Sequence, residues 1–301
     1  MASLLGAAMM TGSFGIWMRW VSPMLSPAAQ SIARFALAAL LLLGSIIWLR
    51  YTKHSSFLRL RLTRRQIVLV VLLGIGTGGI GILYSIAVQF TKVAGAMSLM
   101  SAGGIMVAAL VGTMLLKERL TPGKLLAISV AMTGLFLYAG GLHLSIGLLL
   151  GLGAGACDGF CNCIRKLLRG TDALSVIMYQ YIGAAIVLLP FLLVAHHPAI
   201  KTVSLWPLLA LVCFTLLSVS LGSLLLLGFS RLDANVGAVI LASQIFFAML
   251  LSALLLREYP SWHELFGGIL IFSASILAVA DIKTWRFRFW SRRPAPAELY
   301  Q

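Results

Sequence analysis

Residues 94–118 read AGAMSLMSAGGIMVAALVGTMLLKE, and residues 234–258 read ANVGAVILASQIFFAMLLSALLLRE. At a constant offset Ala94 aligns with Ala234, Ala108 with Ala248, and Lys117-Glu118 with Arg257-Glu258. Just upstream, Phe90-Thr91-Lys92 resembles Phe229-Ser230-Arg231 after a slip of one residue. One apolar segment closed by a basic-Glu turn therefore occurs twice. Each copy is continuously apolar rather than alternating, which excludes a membrane-barrel strand of period two. Each is also about 20 residues long, the length that crosses a hydrocarbon core about 30 Å thick at 1.5 Å per residue.

Outward from these two segments the chain supplies ten such runs, near residues 2–20, 27–49, 66–89, 95–116, 123–141, 146–165, 173–195, 205–229, 234–256 and 262–282. The composition agrees: 60% of residues are apolar, 10% are charged and the mean hydropathy is +1.02, whereas soluble domains carry about 25% charged residues. The expected fold is an all-α membrane protein of ten transmembrane helices, arranged as two five-helix repeats at residues 1–141 and 142–282, with a basic tail at 283–301. Because each repeat has an odd number of spans, the second lies upside down relative to the first. The N-terminal run lacks a basic leader and a distinct cleavage signal, so it is read as a retained first helix.

The charges are lopsided, 23 Lys+Arg against 8 Asp+Glu, but their placement argues against nucleic-acid binding. They sit in short tracts between apolar runs, as in loops that fix membrane orientation. One set of alternate loops holds eighteen basic residues, among them Arg50, Arg64, Arg65, Lys117, Arg119, Lys124, Arg165, Lys166 and Arg293; the other holds four, Arg19, Lys92, Lys201 and Arg257. The positive-inside rule then places both termini in the cytoplasm, and the expected location is the inner (plasma) membrane, as a multi-pass protein. The remaining basic residue, Arg34, falls inside a span. Cys157, Cys161, Cys163 and Cys213 lie in apolar runs and read as small apolar residues, so neither a metal nor another cofactor is expected.

The basic-Glu-basic turn followed by Leu120-Thr121, and the following helix with Gly134, closely resemble the EamA-type repeat of the drug/metabolite transporter superfamily. Gly12-Ser13-Phe14, Ala33-Arg34-Phe35, Leu83-Tyr84-Ser85-Ile86-Ala87, Asp233-Ala234 and Arg257-Glu258 carry the same likeness. The chain departs from that pattern at Gly104 and Gln244, where the family often has proline in helices four and nine. The resemblance implies a transporter rather than an enzyme, with a cavity bounded mainly by helices one, three, four, six, eight and nine.

Polar groups inside a bilayer cost free energy, so each is a candidate for function. Asp158 is the sole acid within a span, about 18 Å from one end of its run and about 10 Å from the other at the helical rise. Asn162 lies four residues on and shares its face. In the repeat alignment Asp158 falls opposite Thr11. Trp17, Arg34, Tyr84, Ser98, Ser101, Ser220 and Gln244 complete the expected substrate-binding set, which the resemblance favours over the helix-seven pair Tyr179 and Gln180. Each has a bland counterpart: an arginine can snorkel, serines and glutamines cross-link helices, and Trp and Tyr anchor at interfaces. Gly147, Gly151, Gly155 and Gly159 recur every four residues as a packing seam. Gly74, Gly76, Gly78, Gly79 and Gly81 are less regular and read as a flexible segment.

The function expected from the sequence is alternating-access transport of small metabolites, as an exporter of amino acids or related compounds, with a proton as candidate coupling ion. An importer or exchanger, and a non-transporting sensor or assembly partner, are the alternatives. Phosphorylated ligands are disfavoured because Arg34 is the single intramembrane base. The expected partners are a small-molecule substrate and the lipid bilayer, with a second copy of the chain as the candidate protein partner.

Overall fold

A computed structural model describes residues 2–53, 62–90, 93–138, 146–194, 204–257 and 259–290. These form twelve helices: α1 (Ala2–Gly12), α2 (Phe14–Val21), α3 (Pro27–Lys53), α4 (Arg64–Phe90), α5 (Val93–Met114), α6 (Pro122–Tyr138), α7 (Ile146–Leu167), α8 (Ala173–Val194), α9 (Leu205–Phe229), α10 (Ala234–Ala242), α11 (Gln244–Leu256) and α12 (Trp262–Trp290). Seven stretches are long and apolar enough to cross a membrane, α10 and α11 counting as one, and the helices over Pro122–Tyr138 and Trp262–Ala278 are shorter apolar segments. The first expected span is divided into α1 and α2. Residues 54–61, Glu258 and the tail beyond 290, on which parts of the sequence reading fall, lie outside the described residues.

The pairing of helices exchanges one repeat with the other. Contacts of α5 with α7 are matched by contacts of α11 with α1, those of α4 with α7 by α9 with α1, and α3 with α8 and α6 with α12 pair with their own counterparts. The backbone repeats at finer grain. Lys117 (φ 53°) and Arg257 (φ 55°), aligned in the two sequences, are the non-glycine residues of positive φ among those described. Each closes its helix in the left-handed conformation, which L residues adopt at a cost and which glycine usually takes at helix ends.

Two breaks interrupt otherwise continuous spans. At Ser13 and at Ser243 the serine hydroxyl bonds back to the carbonyl three residues earlier, Met10 in one case and Ile240 in the other, each at 2.7 Å. Such local bonds compete with the helical ladder. The second break falls immediately before Gln244, the position where proline was missed, whereas α5 runs unbroken through Gly104. The broken segments touch: a Cβ on Gly12 would stand 2.7 Å from the Gln244 carbonyl oxygen.

The seam on α7 packs against α5 backbone to backbone. A Cβ on Gly155 would collide with the Met100 carbonyl oxygen and meet the Gly104 nitrogen at 2.8 Å, and one on Gly159 would meet the Ala108 nitrogen at 3.0 Å. Among the α4 glycines expected to form a flexible segment, Gly74 packs in the same way and the others meet side chains first. Gly74 lies against Gly183 and Gly78 against Val187, and α4 is one uninterrupted helix. Outward faces carry large apolar side chains such as Leu40, Ile47, Leu149, Leu205 and Leu254, a belt that lipid covers at no hydrophobic cost.

Candidate functional site

A cavity of about 130 Å³ lies between the repeats, room for about four waters at roughly 30 Å³ each, or for a small ligand. The first repeat contributes Thr11, Phe14 and Met18, Ser31, Arg34 and Phe35, Thr77, Ile80, Gly81, Tyr84 and Ser85, and Met97 and Met100; the second contributes Asp158 and Arg165, Gln180 and Tyr181, Ser218, Leu221, Gly222 and Leu225, and Leu241 and Gln244. A larger groove of about 550 Å³ runs between α4 and α8, but its lining of Ile67, Val70, Val71, Ile75, Ile182, Ile186 and similar residues suits lipid rather than a polar solute. Convergent polar groups distinguish the central cavity.

Helix α7 supplies a ladder of three residues at i, i+4 and i+7. The Asn162 amide nitrogen donates to Asp158 Oδ2 at 3.1 Å, Arg165 donates to Asn162 Oδ1, and Arg165 Nη1 stands 4.0 Å from Asp158 Oδ1. Asn162 is fully buried behind the wall and holds both charged neighbours in place. Asp158 also borders a second, water-sized space of about 10 Å³ lined by Ser101, Gly104, Ile105, Ala238, Leu241, Ala242 and Gln244.

Arg34 is 9% exposed. Its guanidinium carbon lies 5.2, 4.6 and 4.5 Å from the ring centroids of Phe14, Phe35 and Phe214. Cation–π contacts stabilise by about 0.5–2 kcal/mol each, while removing one ion from water costs several kcal/mol after relaxation. The three rings therefore offset a large part of that cost without supplying a hydrogen-bond acceptor. Among the described residues no carboxylate lies within ion-pair distance of Arg34, and its Nε has no partner. The Tyr84 hydroxyl and Gln244 Oε1 are unpartnered as well. Of the four such buried atoms among the described residues, these three belong to residues on the central cavity. Buried polar groups are ordinarily satisfied, so these three atoms set the wall of the central cavity apart from the rest of the described core.

The expected residues are not all brought together. Arg34, Tyr84, Asp158 and Gln244 line the cavity, Asn162 supports it, and Ser101 sits one layer back, accepting a 2.9 Å hydrogen bond from the Gln244 amide. Ser98 is buried but bonded to the Gly95 carbonyl. Trp17 bonds Ser13 and packs edge-on against Trp20, outside the lining. Ser220 is exposed on the outer face of α9, where its hydroxyl bonds the Leu216 carbonyl. The inward stripe of that helix runs through Ser218, Leu221, Gly222 and Leu225, and two residues at 100° each turn Ser220 away from it.

Two residues were misplaced by the sequence reading. Arg165, counted as a loop base, is 4% exposed and belongs to the cavity wall; one more turn of the Asp158–Asn162 stripe points to it. Gln180, set aside with Tyr179, also lines the cavity and donates to Thr77 Oγ1 at 2.9 Å.

Beyond the Arg165 end of α7 a charged cluster ties the repeats together. Lys166 Nζ donates to Glu118 Oε1 at 2.7 Å and to Asp233 Oδ1 at 2.8 Å, and Lys124 Nζ donates to Asp233 Oδ2 at 2.7 Å. Glu118 also accepts the Ala234 and Asn235 amides at 2.7 and 3.4 Å, taking over the capping of α10 that the Asp233 side chain does not perform. Burial opposes the Asp233 carboxylate, but the Lys124 and Lys166 hydrogen bonds outweigh it and hold Asp233 below the usual carboxylate range.

Fold and cavity thus define a multi-pass helical membrane protein with a central cavity between two repeats, its largely apolar wall interrupted by a few polar side chains. The chain belongs to the EamA-like transporter family, whose model matches twice, over residues 1–140 and 145–280. That is a family of transporters rather than enzymes, in agreement with the EamA-type resemblance of the turns. A comparison with curated proteins returns no match. Among solved structures the chain is similar to a protein crystal structure at a TM-score of 0.74 and 17% identity, the match covering 93% of this chain and 97% of the other. At that identity the likeness concerns the fold alone.

Proposed function

We propose that this chain is a secondary transporter that carries small metabolites through the central cavity by alternating access, exporting amino acids or related compounds from the cytoplasm. The observation that carries the reading is that polar side chains of both repeats, Arg34 and Tyr84 from the first and Asp158 and Gln244 from the second, line one cavity. Inverted repeats around a midplane site, with interrupted helices beside it, are a recurrent architecture of secondary transporters. The breaks at Ser13 and Ser243 supply the interruptions. In this reading all ten apolar stretches cross the inner membrane, and the Glu118–Lys166–Asp233–Lys124 cluster closes the cytoplasmic end. Counterflow tests it directly. Proteoliposomes loaded with a mixture of amino acids should take up a radiolabelled member of that mixture faster than protein-free vesicles, and a full metabolite panel showing no protein-dependent exchange would remove the transport reading.

Orientation is separately testable. The charge bias places both termini and the Arg50–Arg65 loop in the cytoplasm, so a cysteine replacing Ser56 should react with an impermeant maleimide only after cells are permeabilised. Labelling in intact cells would invert the topology.

A further inference from the structure

We infer that the central cavity selects a small organic carboxylate and that Arg34 receives its charge, an inference that rests on the cavity being the transport site. The charges on the lining are Arg34, Arg165 and Asp158. Arg165 is engaged by Asn162 and stands at ion-pair distance from Asp158, which leaves Arg34 as the one cation of the lining without a carboxylate among the described residues. The faces of Phe14, Phe35 and Phe214 accommodate its positive charge but offer its N–H groups no lone pair in the plane of the guanidinium. A carboxylate matches that planar fork of donors. A cationic solute would add to an uncompensated charge. A phosphate dianion would need a second free base, and Arg165 is already occupied. Met97, Met100, Leu221 and Leu225 provide an apolar wall for the body of the ligand.

The test uses the full-length protein in lipid nanodiscs and probes that share one apolar body: L-leucine, 4-methylpentanoate, which lacks the ammonium, and L-leucinol, which lacks the carboxylate. Inorganic phosphate serves as competitor and stands for any phosphate source, lipid headgroups included. At least one of the two carboxylates should bind at least about tenfold more tightly than leucinol, and phosphate should displace it poorly. R34Q should reduce the carboxylate's affinity by at least about tenfold while leaving that of leucinol nearly unchanged, and R34K should recover part of the loss. Leucinol binding as well as the carboxylates, phosphate outcompeting them, neither carboxylate binding, or a folded R34Q protein with unchanged selectivity would each overturn the inference. If R34Q does not fold, the ranking on the unmodified protein decides. Binding of carboxylates without counterflow in proteoliposomes would defeat the transport reading and leave the anion site standing, whereas counterflow of leucinol in preference to leucine would do the reverse.

Discussion

Asp158→Asn should leave exchange of substrate at equal concentrations intact and abolish accumulation driven by a pH difference. Asp158 borders both the central cavity and the small space beneath Gln244, so its hydration depends on how α7, α5 and the broken α10–α11 segment sit against one another. A proton drives a conformational change only if it binds the two conformations unequally, and a carboxyl whose water changes between states meets that requirement. Asparagine preserves the shape and can still accept the Asn162 amide hydrogen bond, but it cannot titrate. With one proton moved per substrate, an imposed difference of one pH unit supports an accumulation of up to about tenfold, the equivalent of about 1.4 kcal/mol. In the variant this ratio should fall to about one. Because exchange is measured on the same vesicles, loss of folding is separated from loss of coupling. An Asp158→Asn protein that still concentrates substrate under the pH difference would make Asp158 a packing residue.

The sequence disclosed the helical, two-repeat architecture because bilayer physics writes it in long apolar runs, and the repeat showed itself in the Lys117-Glu118 and Arg257-Glu258 motifs, where Lys117 and Arg257 share a left-handed backbone. The site was legible where a stripe could be followed. Asp158 and Asn162 share a face, and Thr11, opposite Asp158 in the repeat alignment, lines the same cavity. Arg165 was lost because a base at the end of an apolar run reads as a loop residue, although the helix continues to Leu167. Ser220 and Ser218 differ in orientation by two helical steps, which only the inward stripe of α9 resolves. Gln180 was masked by an expectation about which helices bound the cavity. The break at Ser243 has no sequence marker of the proline kind and arises from a serine bonding its own backbone. The aromatic cage of Arg34 joins Phe14, Phe35 and Phe214 from three helices, and no local pattern announces such a meeting.

Glu118→Gln should lower the yield of folded protein strongly while leaving substrate affinity nearly unchanged. The Glu118 side chain is 3% exposed and accepts the Lys166 ammonium and the Ala234 amide at 2.7 Å each, yet it lies outside the cavity lining. Glutamine keeps one acceptor oxygen but loses the charge, so the two amides of α10 and Lys166 compete for it. Hydrogen bonds to charged groups contribute about 1.5–3 kcal/mol. Glu118→Ala, which removes both acceptor oxygens and leaves Asp233 as the remaining carboxylate partner of Lys166, should cost more than Glu118→Gln. Asp233 cannot compensate fully, since it already binds both Lys124 and Lys166. Its depressed pKa fixes the pH dependence. Its contribution is complete above the unfolded aspartate value of about 3.9 and is lost only as pH falls through the lower folded value, so the yield deficit of Glu118→Gln should be constant across neutral pH. Fluorescence-detected gel filtration measures the yield, and binding to the protein that does fold measures affinity. A large drop in affinity at normal yield would move Glu118 from the scaffold into the transport pathway.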